Sequence, residues 1–153
     1  MIFNLRELEL KVGDEHPEGR RFSGRSLTGE VGAALTGLAV YEVPARSGHW
    51  PYHFEVTHEE WLLVVEGEIV LRTPDSERAL RAGDVACFLA GAAGAHSVRN
   101  DSDAPARFAM PSTKSPYGGA VVYPDSGKFV IRARDFTHRG LLGDAAEYWQ
   151  GEP

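Results

Sequence analysis

An all-β barrel is the fold this sequence predicts, and three observations carry the prediction. Between residues 34 and 111, short apolar runs alternate with Gly, Pro, Asp, Asn and Ser, the pattern of strands joined by tight turns. The runs are brief and closely spaced, which favours a barrel or sandwich over a sheet interleaved with helices. At 153 residues, with 42% apolar and 25% charged side chains, the chain has the size and composition of one ordinary domain.

The predicted strands are 35–43, 60–65, 68–73, 79–80, 85–89, 95–100 and 107–110. The turns between and beyond them are Glu66-Gly67, Thr73-Pro74-Asp75-Ser76, Ala82-Gly83-Asp84, Asn100-Asp101-Ser102-Asp103 and Pro124-Asp125-Ser126-Gly127. Each holds residues that tolerate positive φ or hydrogen-bond to their own backbone. Trp61-Leu62-Leu63-Val64-Val65 is apolar at every position, as expected of a strand covered on both faces. Residues 144–149 read as a helical or tail-like segment whose Tyr148 and Trp149 pack on the barrel. No internal repeat or linker interrupts the chain. It is read as a single domain over 1–153, with a core barrel at about 34–131, an N-terminal extension and a C-terminal tail at 132–153.

Sixteen basic residues against 22 acidic ones give a formal net charge of -6, a field that repels phosphate backbones and anionic membranes. The prediction is no nucleic acid and no membrane partner. Arg20, Arg21 and Arg25 form the densest basic stretch and read as a solvated face. Cys87 is the sole cysteine, so no intrachain disulfide is possible. The first residues lack the apolar run of a signal peptide, and no apolar stretch approaches the length of a membrane span. A cytoplasmic protein is expected.

Chemistry concentrates in two short regions. On an extended strand alternate side chains share a face, so His53 and Glu55 point together. Glu60 shares its face with Leu62 and Val64, and His96 with Val98 and Asn100. A bend over 56–59 would let these groups converge into a mixed nitrogen and oxygen site suited to a first-row divalent metal. His49, His58 and Glu59 lie close enough to substitute for a ligand, and a loop-exposed role is expected for His58. His16 and His138 read as solvated, and Cys87 reads as a small buried hydrophobe. Trp50 and Tyr52 border the first region, either lining the pocket or packing at its rim. Asn100 reads as tying down a strand end. No phosphate-binding loop and no nucleophile elbow are present.

Two blocks organise these residues. Gly48 precedes His53-Phe54-Glu55, followed by Glu60 and Gly67; then Gly83 precedes Leu89-Ala90-Gly91, His96 and Asn100. This pattern resembles the paired consensus blocks of the cupin superfamily. Flanking segments around Pro51-Tyr52, Gly94-Ala95 and Tyr123-Pro124 resemble its small single-domain bacterial members. The resemblance implies a double-stranded β-helix, or jelly-roll, barrel. It also implies that His53, Glu60 and His96 are metal ligands for a divalent ion such as Fe, Mn, Zn or Ni. The chain departs from the consensus in four places. The first block is a residue short, Glu55 stands for the second histidine, Leu89 stands for a proline, and two extra residues precede His96. With Glu55 as a fourth ligand the site is harder and more negative; without it, two histidines and one carboxylate remain with open positions; alternatively the replacement abolishes metal binding.

Three functions fit such a barrel. The leading one is a mononuclear metalloenzyme, dioxygenase- or isomerase-like, acting on a small organic substrate with Glu55 or Glu60 as general base. The alternative is a non-catalytic binder of a small molecule or sugar, and the third is an oligomerising scaffold. Strand parity suggests a pocket lined by Leu62, Val64, Phe88 and Val98, suited to a hydrophobic ligand. Open sheet edges predict a homodimer.

Overall fold

A computed structural model describes residues 1–12, 20–48, 50–143, 147 and 150. The strands are β1 (Lys11–Val12), β2 (Ser23–Ser26), β3 (Thr36–Val43), β4 (Phe54–Glu55), β5 (Glu60–Glu66), β6 (Glu68–Arg72) and β7 (Glu77–Arg81). They continue as β8 (Val85–Phe88), β9 (Ser97–Arg99), β10 (Ala106–Thr113), β11 (Gly119–Tyr123), β12 (Lys128–Arg132) and β13 (Thr137–Leu141). Helix is confined to α1 (Thr28–Val31) and a 3-10 turn at Ala92–Gly94 among the described residues. The segment 144–149 lies almost wholly outside the described residues, as do His16 and His49.

The strands form antiparallel sheets in the orders β1-β2-β3-β10-β5-β8, β13-β12-β11-β4 and β7-β6-β9. The two smaller sheets meet where His53, just before β4, pairs with His96, just before β9. Ser47, Trp50 and His53 pair antiparallel with Asn100, Val98 and His96, with Trp50 N–H donating to Val98 and Asn100 N–H to Ser47. The Asn100 side chain closes this seam: its amide donates to the carbonyls of Val43 and Ala104 and its oxygen accepts from Ser102. Asn100 thus ties the strand end, as the sequence suggests.

Between the layers lie Val43, Leu62, Val64, Ile69, Leu71, Phe88, Val98, Ala106, Phe108 and Met110. Period-2 alternation delivers them, since β5, β6 and β10 each turn every second side chain inward. A second cluster, Leu8, Leu27, Val40 and Ala109, covers the outer face of the large sheet with help from Phe3, Leu5 and Leu10. Arg107 clamps the N-terminal segment there, donating to the carbonyls of Leu5, Arg6 and Leu8 and to the Glu42 carboxylate.

Three expectations need correction. The N-terminal segment covers the Val65 end of β5 but leaves Trp61 45% exposed, so that strand is not sealed on both faces. Cys87 is exposed, because Phe88 sets the phase of β8 and turns Val85, Cys87 and Leu89 outward together. Leu62, Val64, Phe88 and Val98 belong to the core and do not line the cavity described below. Residues 137–141, within the expected tail, form β13 against β12. No described helix is long and apolar enough to cross a membrane.

Candidate metal centre

Main-chain pairing sets two histidines side by side. His53 N–H donates to the His96 carbonyl at 3.1 Å, and His96 N–H to the His53 carbonyl at 2.8 Å. Directly opposed antiparallel residues project to one face, and the two rings lie 4.7 Å apart between centroids. Glu60 comes from the facing sheet as the first residue of β5, opposite Phe88 in register. The Phe88 ring stacks on His96 at 3.6 Å, while Tyr123 stacks on His53 at 5.8 Å. One donor atom from each of His53, Glu60 and His96 lies within 4.8 Å of the other two.

The same backbone orients both imidazoles. Nδ1 of His53 donates to the Pro51 carbonyl and Nδ1 of His96 to the Gly94 carbonyl, each at 2.9 Å. A carbonyl only accepts, so Nδ1 carries the proton and, in the neutral ring, Nε2 keeps its lone pair. Burial favours neutrality: it lowers the His53 pKa, and with His53 nearby it pushes His96 down to about 4. The carbonyl that holds His96 belongs to the 3-10 turn built by the residues inserted before it. Gly94 is required there, since a side chain would collide with the Leu89 carbonyl.

Burial also pushes Glu60 up to about 7, with the Glu55 charge adding to the effect and Lys114 opposing it. Glu60 Oε2 and His96 Nε2 are buried, stand 3.8 Å apart and have no hydrogen-bond partner. Two unpartnered acceptors facing each other are costly unless something electropositive sits between them. Two imidazole nitrogens and a carboxylate oxygen are the donor set a first-row divalent cation takes, so these residues fit such an ion.

Glu55 is brought to the same cavity, but its carboxylate faces His58, with Oε2 3.3 Å from His58 Nδ1. His58 is therefore mostly buried rather than exposed in a loop. The loop-exposed role expected for His58 is corrected by its anchor, the Ser115 N–H donating to Nε2 at 3.1 Å, which is remote in the chain and so invisible to spacing. Glu59 is exposed, and His138 lies on β13 beside Phe129 and Phe136.

The cavity above the cluster has a volume of about 490 Å³. Its aromatic wall comprises Phe22, Tyr41, Trp50 and Tyr123; Lys114 and Arg132 supply positive charge, and Glu55 and Glu60 negative charge. Trp50 lines it, whereas Tyr52 lies in an adjoining recess beneath the Arg72 guanidinium.

A double-layered β-barrel carrying two imidazoles and a carboxylate at one cavity defines the class, a barrel protein with a candidate mononuclear metal centre. The family model described as Cupin domain matches residues 39–111, which span every residue of the cluster. Residues 39–111 are therefore a cupin domain. A sugar phosphate isomerase of the cupin superfamily from Silicibacter pomeroyi is 24% identical over 92% of each chain, with a TM-score of 0.78. A protein from Acidithiobacillus ferrooxidans is 19% identical over 94% of this chain and 93% of its own, also at 0.78. The polyketide cyclase RemF from Streptomyces resistomycificus is 20% identical over 74% of this chain and 78% of its own, at 0.60. At these identities the likeness establishes the fold. No curated protein matches the sequence.

Proposed function

We propose that this cupin is a mononuclear metal-dependent enzyme acting on a small, oxygen-rich organic molecule, with isomerase-type chemistry as the first reading. The observation that carries it is the pair of buried, unpartnered acceptors, Glu60 Oε2 and His96 Nε2, at the cavity with His53 beside them. A divalent cation held there would supply a Lewis acid for a substrate oxygen. Glu55 Oε1, free of the His58 bond, is the atom suited to take and return a proton. Lys114 and Arg132 suit an anionic end of the substrate, and the aromatic wall offers apolar surface to its carbon skeleton. The name of the Silicibacter pomeroyi neighbour, a sugar phosphate isomerase, supports the same direction.

The test loads metal-free protein with iron, manganese, zinc or nickel singly, then measures bound metal beside His53→Ala and assays small sugar phosphates for interconversion. Near one ion per chain, lost in His53→Ala, with turnover by the loaded wild type, is the expected result. Oxygen consumption in place of interconversion would move the assignment to a dioxygenase. Ligand binding without conversion would make the protein a binding module. Retention of no ion under any loading would overturn the metalloenzyme reading.

A further inference from the structure

We infer that His58 sets the ligand count of the metal centre by holding the Glu55 carboxylate away from the ion, leaving a three-ligand site and an unliganded acid on the cavity wall. The inference rests on the reading of His53, Glu60 and His96 as a metal centre.

The chain itself delivers Glu55 to the site, two residues from His53 on an extended segment and opposite Val121 of β11. What turns its carboxylate aside is a chain of fixed donors. The Ser115 N–H donates to His58 Nε2 at 3.1 Å, and a backbone N–H can only donate, so Nε2 carries no proton. His58 is then the neutral Nδ1–H tautomer, donating from Nδ1 to Glu55 Oε2 with the two heavy atoms 3.3 Å apart. Room for the ring comes from Gly119, where a Cβ would fall 2.5 Å from His58 Cε1 and 2.9 Å from Thr57 Oγ1. The bond is shielded, the side chains of His58 and Glu55 being 13% and 17% exposed. Ligation by Oε2 would break this bond and strand a mostly buried N–H, and with the carboxylate so held Glu55 offers no oxygen within 4.8 Å of all three donor atoms of His53, Glu60 and His96.

The ligand count fixes the charge of the centre. A divalent ion with two neutral imidazoles and one carboxylate keeps one positive charge, whereas a second carboxylate would cancel it. The charged centre stands near Lys114 and Arg132 while the unliganded Glu55 opposes them from the same cavity wall, so the site pairs a positive metal position with a separate acid. His58 is a positioning residue here, acting only through Glu55.

Cobalt(II) tests this, because its visible spectrum reports the number and geometry of ligands independently of turnover. Metal-free wild type, Glu55→Gln, His58→Leu and the double variant are titrated with cobalt(II), with affinities from chelator competition. Wild type and Glu55→Gln are expected to share one spectrum, with affinities within about threefold. In His58→Leu the spectrum changes and affinity tightens by about tenfold as Glu55 joins the ion, and the double variant returns to the wild-type spectrum. A Glu55→Gln spectrum that differs from wild type, or a His58→Leu spectrum that does not, overturns the inference while the metal centre stands. If His58→Leu fails to fold, the Glu55→Gln comparison still decides whether Glu55 is a ligand. Wild type that takes up no cobalt overturns the metal centre itself.

Discussion

Replacing Glu60 with Gln should make the metal-free protein more stable at alkaline pH than at acid pH, relative to wild type. Burial pushes the Glu60 carboxyl from 4.5 up to about 7, so the folded state disfavours its charged form. The resulting cost is absent below about 4.5, grows as pH rises, and is complete above about 7. At about 1.4 kcal/mol per pH unit this amounts to about 3 kcal/mol. Only 17% of the Glu60 side chain is exposed, so solvent screening takes little from that figure. Gln keeps the shape and cannot ionise. Its unfolding free energy relative to wild type should therefore climb by about 3 kcal/mol between pH 4.5 and 8. His96 acts in the opposite sense: its lowered pKa costs stability as pH falls from 6.5 through about 4, in both proteins, and largely cancels in the difference. The assay is urea unfolding of chelator-treated protein across that range. A difference that stays flat with pH refutes the claim that burial governs this carboxyl.

Three other outcomes can be checked with the same material. Asn100→Ala should lower the unfolding free energy by about 3 kcal/mol, because the buried amide leaves the Val43 and Ala104 carbonyls without their donor; the urea midpoint measures it. Arg107→Ala should cost about 2 kcal/mol and speed amide exchange throughout residues 5–10, since its guanidinium holds three carbonyls of that segment. Gly67→Ala should cost about 2 kcal/mol, its φ being +76° and its new Cβ lying 2.7 Å from the Pro105 carbonyl oxygen, and thermal unfolding reads the loss.

Much of the barrel could be read from the chain because local signals and tertiary packing agree there. Strands β5 and β6 lie within about a residue of their expected ends, since Glu66-Gly67 demands a turn and Gly67 takes the positive φ that turn needs. Strand parity offered His53, Glu55, Glu60 and His96 as candidates, and the resemblance to the cupin blocks implied His53, Glu60 and His96, the three whose donor atoms cluster. By contrast β2, Ser23–Ser26, carries no apolar pattern and exists through its pairing with β3. Strands β11 to β13 were missed for a related reason: Val121 and Val130 alone among their residues are fully inward, too few to show a period. The orientation of Cys87 was misread because both faces of β8 are apolar, and only contact with the core says which one faces in. The His58 anchor at Ser115 depends on two segments meeting in space, which spacing along the chain does not encode.

The meeting of His53 and His96 has a mechanical side. The two smaller sheets are stitched at that point by a single exchanged pair of main-chain bonds, and the side chains of the same two residues project into the cavity. A cation gripped by both rings and by Glu60 would act as a rivet through the seam and across to the facing layer. Loading the pocket and stiffening the barrel then become one event, readable as slowed amide exchange at His53 and His96.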